Sequence, residues 1–409
     1  MQKYLERIVE KKFLRKNEDS PVVLVTGARQ VGKTTMLEQM SKGQERTYVT
    51  MDDLNVRAMA LKDPVMFFQN FKPPIVIDEV QYAPNLFSQI KLMVDKNKKA
   101  GEFWLTGSQN YGLMKNVSES LAGRVGIVEM SSFTIDEKFG QINELLDSLE
   151  IDNLQERFKN CRKFDQNELF EFIYRGGMPK IFERSNDGVK DYFDDYVSTY
   201  LMRDVMQLGK VSDMIRFHRF LTACAAMISQ QLNLAQLAQV AEISHPTAKE
   251  WLEILQGLGI VYLIQPYHNN MLKRLVKSPK LYFYDTGLAA HLSLWPSSKT
   301  LQVGNMNGAY FENFCINQIT KKISASSRPV SIFYYRDKDQ REIDLVLETH
   351  AGLIPLEFKL SSNPHQGDIA KFGVLEKLGK PVLPGAIICT IDKPLLITGG
   401  NVLLPVSLI

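Results

Sequence analysis

An apolar run at residues 22–26 opens into Gly27-Ala28-Arg29-Gln30-Val31-Gly32-Lys33-Thr34-Thr35. Two glycines five apart let successive backbone N–H groups curl around phosphate oxygens, where a Cβ would obstruct the turn. Lys33 then neutralises the β- and γ-phosphates, the Thr34 hydroxyl ligates Mg²⁺, and a helix beginning near Lys33 offers its N-terminus to the same anion. Residues Gly27 to Thr35 are therefore the expected phosphate contacts. Downstream, Pro74-Ile-Val-Ile-Asp78-Glu79 is a short apolar strand ending in two carboxylates. Alone it is an ordinary solvated strand end. Behind a phosphate loop, Asp78 holds the magnesium shell and Glu79 polarises the attacking water as general base.

A third strand, residues 103–106, ends in Gly107-Ser108-Gln109, where a γ-phosphate sensor would stand; a plain turn is the alternative. Arg124, in Ser120-Leu-Ala-Gly-Arg124-Val, precedes a further strand. From there an arginine can reach the γ-phosphate held by a neighbouring subunit.

Toward the C-terminus a second set of chemistry-bearing residues is patterned on other elements. Glu312 lies in a helix beginning near Asn307 and shares a face with Ile316 and Ile319. Arg341-Glu-Ile-Asp344-Leu-Val-Leu alternates as a strand, with Ile343, Leu345 and Leu347 on one side and Asp344 on the other. Ile354-Pro-Leu-Glu357-Phe-Lys359-Leu alternates likewise, with Glu357 and Lys359 together. If the two strands are neighbours, Asp344 and Glu357 converge on one hard cation, with Lys359 beside them and Glu312 as a further ligand. That set suits metal-assisted hydrolysis of a phosphodiester.

Between these groups, residues 234–255 pattern as two short helices around a turn at 242–244. Ser244 caps the second helix and Pro246 suits its first turn. Ala248, Trp251, Leu252 and Leu255 face inward; Thr247, Lys249 and Glu250 face out. Strands follow at 260–264 and 281–284. Residues 254–284 contain no acid, while Lys273, Arg274, Lys277 and Lys280 form a local basic run suited to nucleic-acid backbone. Packing between domains is the plainer use of such a unit.

The elements that must position these groups follow from the pattern along the chain. Its 409 residues exceed one ordinary domain. Short strands alternate with helices over residues 21–135, the signature of a parallel α/β sheet. Residues 136–230 turn helical, and a polar stretch from Trp295 to Thr300 looks like a linker. The expected division is a nucleotide-binding core at 1–135, a helical segment at 136–230, a helix-turn-helix unit at 231–295 and an α/β domain at 300–409. Net charge is only +3, so any nucleic-acid footprint is local. Charges near the N-terminus, the lack of a long apolar run and four scattered cysteines point to a cytoplasmic chain with no membrane segment.

The order GARQVGKTT, IVIDEVQ, LTGSQ, SLAGRV resembles an AAA-type ATPase family of bacterial and archaeal proteins that carry a C-terminal winged helix and a nuclease-like domain. Arg175-Gly-Gly-Met-Pro and Tyr200-Leu-Met-Arg-Asp204 add to the match. The resemblance implies a multidomain α/β fold: an AAA-type core, a helical lid, a winged helix and a restriction-endonuclease-like domain. It implies ATP and Mg²⁺ as cofactors, with Mn²⁺ an alternative at the second site, and a homo-oligomeric ring in which Arg124 is the arginine finger. The sensor departs from the common AAA pattern, which has Asn, so Ser108 and Gln109 both stand. Glu312, Asp344, Glu357 and Lys359 resemble the PD-(D/E)xK nuclease set, although Ile343-Asp344 replaces the Pro-Asp of its name. The implied function is an ATP-driven enzyme acting on DNA, branched or structured DNA included. The alternative is a nucleotide-switched signalling or scaffold ATPase whose C-terminal domain binds DNA or protein without cutting.

Overall fold

Runs of β-branched and aliphatic residues between polar turns form five strands in the first third of the chain: β1 (Val22–Gly27), β2 (Thr47–Thr50), β3 (Ile75–Asp78), β4 (Phe103–Ser108) and β5 (Val125–Glu129). They pair in parallel in the order β2-β3-β4-β1-β5. The interior strand β1, flanked by β4 and β5, is buried on both faces, so Val22 to Val25 are apolar without alternation. Val22 and Leu24 pack into one cluster with Ile75, Ile77, Phe103 and Leu105, and Val23 and Val25 into another with Val76, Trp104 and Val128. The computed structural model describes residues 4–108, 111–141, 151–268, 278–364 and 367–409.

A helical stretch follows. It includes Gln166–Arg175, Asn186–Asp195, a π-helical turn at Tyr196–Leu201 and the short helix Met202–Gln207. Three further helices, Met214–Ala226, Leu234–Val240 and His245–Gly257, are closed by a two-stranded antiparallel ribbon of β6 (Val261–Ile264) and β7 (Lys280–Phe283). Trp251 is the hub of this unit: its ring sits edge-on to Phe217 at 5.2 Å and Phe220 at 5.8 Å. Ser244 caps the third helix by accepting the Thr247 amide. The polar stretch after Trp295 is not a linker. Ser297 and Thr300 form a reciprocal cap on the helix Ser298–Val303, and the Ser298 hydroxyl donates to Glu171 at 2.7 Å. Its polarity reflects helix capping, which composition does not distinguish from a flexible connection.

The last part carries a mixed sheet in the order β12-β13-β11-β10-β9-β8. Its strands are β8 (Ser331–Arg336), β9 (Glu342–Glu348), β10 (Leu353–Lys359), β11 (Ala386–Cys389), β12 (Leu395–Leu396) and β13 (Val402–Pro405). The first three form an antiparallel meander, and β10, β11 and β13 run parallel. The 19-residue helix Asn307–Ala325 buries Phe311, Cys315, Ile316 and Ile319. Strict alternation fails in β9. Phe333 faces Val346 and Tyr335 faces Ile343, so two steps on β8 oppose three on β9. This bulge contains Asp344 and sends Ile343 into one apolar cluster while Leu345 and Leu347 join the other. Among the described residues, no helix is long and apolar enough to cross a membrane.

Candidate functional site

The strand β1 delivers its backbone into the loop 28–32, and the helix Lys33–Ser41 leaves from it. Gly27 must be glycine: a Cβ there would lie 1.9 Å from the Met130 carbonyl oxygen. Gly32 has φ +97°, the left-handed region that favours glycine. Lys33 is buried, and its ammonium donates to the loop carbonyls of Gly27 at 3.1 Å and Ala28 at 2.8 Å. Burial pushes it down to about 8, partly offset by the charge of Glu79. Backbone dipoles are weak partners for a buried cation, so the ammonium is poised for a stronger anion. Thr34 donates its hydroxyl to Asp78 Oδ1 at 2.8 Å, and Thr106 donates to the same oxygen. Tyr48 donates to Asp78 Oδ2 at 3.3 Å. Thr34 and Asp78 are thus adjacent hard oxygen donors and fit Mg²⁺. Thr35 is exposed on the outer side of the helix.

Glu79 stands at the end of β3 with φ +55°; its amide donates to Thr106 Oγ1 at 3.0 Å and its carboxylate accepts from Gln81. The side chains of Gln81 and Thr106 therefore fix the place of the expected base. Ser108 is buried at the end of β4, and its hydroxyl has no partner among the described residues. Gln109, the other sensor candidate, lies outside them. Arg124 is one-third exposed and pairs with Asp95 of its own chain at 2.6 Å. Its carbonyl accepts from Val22 N, which places it at the starting edge of β1, opposite the edge that carries the phosphate loop.

Four residues to which the motif reading gave no role shape this site. Arg7 is buried, pairs with Glu137 at 3.0 Å and donates to the loop carbonyl of Val31 at 2.7 Å. Thr106 and Tyr48 hold Asp78. Asp204 accepts from Arg29 Nε at 2.5 Å. Arg7 and Asp204 lie far from the loop in sequence; Asp204 ends a stretch that carries the resemblance, but no local spacing ties either residue to the loop.

The C-terminal carboxylates do come together, but around a lysine. Lys280, at the start of β7, lies 3.0 Å from Glu312, 2.6 Å from Glu342 and 3.8 Å from Asp344. The Tyr282 hydroxyl donates to Glu312 at 2.7 Å, and the Phe358 amide to Asp344 at 3.0 Å. Burial presses Lys280 toward neutrality; the charges of Glu312, Asp344 and Glu342 outweigh it and hold the ammonium above its ordinary value. Burial, then the charges of Glu312 and Glu357, raise the Asp344 carboxyl well above the usual range. Burial likewise raises Glu312, with Lys280 opposing. Glu357 is itself buried and contacts Lys359 at 2.9 Å and Lys371 at 3.1 Å.

Two expectations meet the structure here. The carboxylates were expected to stand free for a metal, yet among the described residues no group of three His, Cys, Asp or Glu is set to hold one. Internal ammonium groups stand among these carboxylates instead: Lys280 beside Glu312 and Asp344, and Lys359 and Lys371 beside Glu357. Second, Lys280 was counted in the basic run, but it is only 4% exposed and unavailable to a nucleic-acid backbone. Lys273, Arg274 and Lys277 lie outside the described residues. On the third helix of the three-helix unit, Lys249 is exposed, Thr247 is half-buried, and Glu250 pairs with Lys210 at 3.3 Å.

Family models match three stretches: an AAA domain at residues 19–139, and two domains of unknown function, DUF8612 at 166–299 and DUF4143 at 307–409. A Mycobacterium tuberculosis relative, the "uncharacterized protein Rv2008c", is 31% identical over 347 residues, covering 84% of this chain and 71% of the relative. A Methanocaldococcus jannaschii relative, MJ1637, is 20% identical over 394 residues, covering 90% of this chain and 78% of the relative. Among solved structures, the Walker-type ATPase of Pyrococcus abyssi aligns at 15% identity over 71% of this chain and 96% of that one, with a TM-score of 0.46. The Thermotoga maritima Holliday junction branch migration motor RuvB aligns at 17% identity over 62% and 88%, with a TM-score of 0.31. At these scores neither superposition carries an argument.

Proposed function

The chain belongs to the family of that mycobacterial protein and carries an AAA-type P-loop ATPase domain; from that premise we propose that it is a nucleotide-driven switch. It hydrolyses ATP at Lys33, Thr34, Asp78 and Glu79, and its nucleotide state sets how the helical and C-terminal parts hold a partner. One observation carries the ATPase part: Lys33 and the Thr34–Asp78 contact at 2.8 Å stand side by side at the C-terminal edge of a parallel sheet. Mg²⁺ entering with ATP would be held by Thr34 and Asp78 and would supply charge neutralisation there. Lys33 binds the β- and γ-phosphates, and Glu79, fixed by Gln81 and Thr106, accepts a proton from the attacking water. The test is phosphate release from ATP with Mg²⁺. Lys33→Ala should abolish it, and Glu79→Gln should bind ATP and hardly turn it over. Wild-type turnover by Lys33→Ala would remove the reading.

The partner end of the switch rests on the Lys280 cluster. A carboxylate site neutralised by an internal lysine suits binding and inter-domain coupling rather than cutting. Lys280 belongs to the ribbon and its partners to the C-terminal domain, so the cluster joins the two. The three helices and ribbon are, in this proposal, a winged helix. Assembly into a homo-oligomeric ring, with Arg124 of one subunit serving the next, belongs to the same proposal.

A second reading, cleavage of DNA with Asp344, Glu357 and Lys359, is favoured by one detail. Glu357 Oε2 is buried without a hydrogen-bond partner, although its other oxygen meets two lysines. Incubation with single-stranded, duplex, forked and four-way DNA under Mg²⁺ or Mn²⁺, with and without ATP, separates the readings. Cleavage lost in Asp344→Asn supports the second; binding without cleavage, or neither, supports the first.

A further inference from the structure

Arg29 occupies the third position of the phosphate loop, four residues before Lys33. Its side chain is 15% exposed and points away from solvent. Nε donates to Asp204 Oδ2 at 2.5 Å, and Nη2 donates to the Tyr82 hydroxyl at 3.0 Å. Tyr82 lies three residues beyond Glu79, so the guanidinium is on the side of the loop where the expected base stands. The charges of Arg29, Glu79, Asp78 and Asp204 all act on the Lys33 ammonium, which puts the five groups in one neighbourhood.

A small cavity of about 10 Å³ adjoins this pair, lined by Arg29, Ser108, Tyr196, Tyr200 and Asp204 among others. Two buried oxygens beside it, Ser108 Oγ and Asp204 Oδ1, have no hydrogen-bond partner among the described residues. Ser108 is 4% exposed. Unpaired buried oxygens are costly, and the two differ in what would satisfy them. The Ser108 hydroxyl can donate to a phosphate oxygen, whereas the Asp204 carboxylate only accepts and would repel one, so Arg29 and Ser108 are the groups here that can meet a phosphate. The helix that carries Asp204 follows directly on the π-helical turn at Tyr196–Leu201, which brings Tyr196 and Tyr200 to the same cavity.

Building on the ATPase reading, we infer that Arg29 is the arginine that meets the γ-phosphate of ATP bound in its own subunit, and that Asp204 is the partner it leaves to do so. A planar guanidinium is matched to phosphate oxygens, and a terminal phosphate carries more negative charge than a single carboxylate. ATP therefore outcompetes Asp204, whereas ADP, lacking the γ-phosphate, leaves the pair intact. Because Asp204 sits on the helical segment, the exchange reports the γ-phosphate to the rest of the chain. Arg124, at the opposite edge of the sheet, cannot serve the nucleotide of its own subunit.

The experiment compares ADP and ATPγS affinities with Mg²⁺ for the full chain, its Arg29→Ala, Arg29→Lys and Asp204→Asn variants, and turnover of ATP by each. Wild type should prefer ATPγS over ADP by about tenfold. Arg29→Ala should lose that preference while keeping its ADP affinity, and its turnover should fall by about 100-fold or more. Arg29→Lys keeps the charge without the fork; it serves if the alanine variant fails to fold, and should lose most of the preference. Asp204→Asn should tighten ATPγS by a few-fold and leave ADP unchanged, an asymmetry that a merely structural ion pair would not produce. Mixing Arg29→Ala with Glu79→Gln should restore no turnover, since a residue acting within its own subunit cannot complement. An unchanged ATPγS preference in both Arg29 variants, or rescue on mixing, overturns the inference while wild-type turnover keeps the ATPase reading. Wild type that binds neither nucleotide overturns both.

Discussion

Two regions of this molecule gather lysines and carboxylates in buried surroundings, and they treat the lysine in opposite ways. At the phosphate loop, Lys33 is held by two backbone carbonyls, and Asp78 accepts only hydroxyls. In the C-terminal part, Lys280 is enclosed by Glu312, Glu342 and Asp344. The first arrangement leaves the buried charge satisfied by neutral dipoles, which surrender it readily to a phosphate. The second meets the buried ammonium with carboxylates that the protein itself supplies. Burial consequently pushes one lysine down to about 8, while neighbouring carboxylates raise the other. A site that awaits a charged ligand and a site that completes a structural junction can thus share residue types and differ in what neutralises them.

The sharpest way to break this comparison is to remove each lysine in turn. Lys33→Ala should lose ATP turnover by about 100-fold or more and melt no lower than wild type. Lys280→Ala should behave in the opposite sense: it takes the ammonium from the largely buried Glu312 and Asp344, with a cost of about 3–5 kcal/mol. Its melting temperature should fall clearly, while the folded fraction hydrolyses ATP normally. A stable Lys280→Ala would show that the cluster is not a junction.

A smaller effect sharpens the same point. In Lys280→Ala the freed carboxylates resemble an open cation site, so Mn²⁺ should recover part of the lost melting temperature. Wild type should show no Mn²⁺ shift beyond that caused by nucleotide. Equal shifts in both proteins would mean that the carboxylates take metal with Lys280 in place.

Acidity separates the two lysines further. Lys33 binds phosphate as the ammonium, so ATP affinity should be flat below about pH 7.5 and weaken as pH rises past 8. Its effect on stability has the opposite sign. A lysine depressed from 10.5 in the folded protein destabilises it while charged, and that cost fades as pH rises from about 8 toward 10.5. Titration of ATP affinity in wild type and in Lys33→Ala checks this; the variant should show no step near pH 8.

The smallest structural effect belongs to Arg124→Ala, which removes a surface pair with Asp95 and should leave the melting temperature almost unchanged. Any functional effect would come from a neighbouring subunit. Mixing it with Glu79→Gln should then restore turnover, because a mixed interface pairs an intact Glu79 with an intact Arg124. Exchange of subunits without rescue would count against that role.

The sequence by itself determined the nucleotide end. Residues 22–35 and 74–79 carry a glycine spacing, a lysine and a strand-end acid pair whose geometry is local, set by turns and strand ends within a few residues. The parallel strands were legible for a related reason: β1, β3 and β4 are runs buried on both faces, and the edge strands β2 and β5 alternate with helical patterns on either side. So were the cap at Ser244 and the helix beginning near Asn307. Tertiary structure alone decided the rest. That Asp344 lies in a bulge depends on the register of β8 against β9, which no alternation pattern encodes. That Arg29 finds Asp204, and Arg7 finds Val31 and Glu137, depends on packing between residues more than a hundred positions apart or on different elements. Above all, Lys280 looked like part of a basic run. Whether a lysine faces solvent or three carboxylates is a property of what the fold brings to it, because the energy of a charge is set by its surroundings and not by its neighbours in sequence.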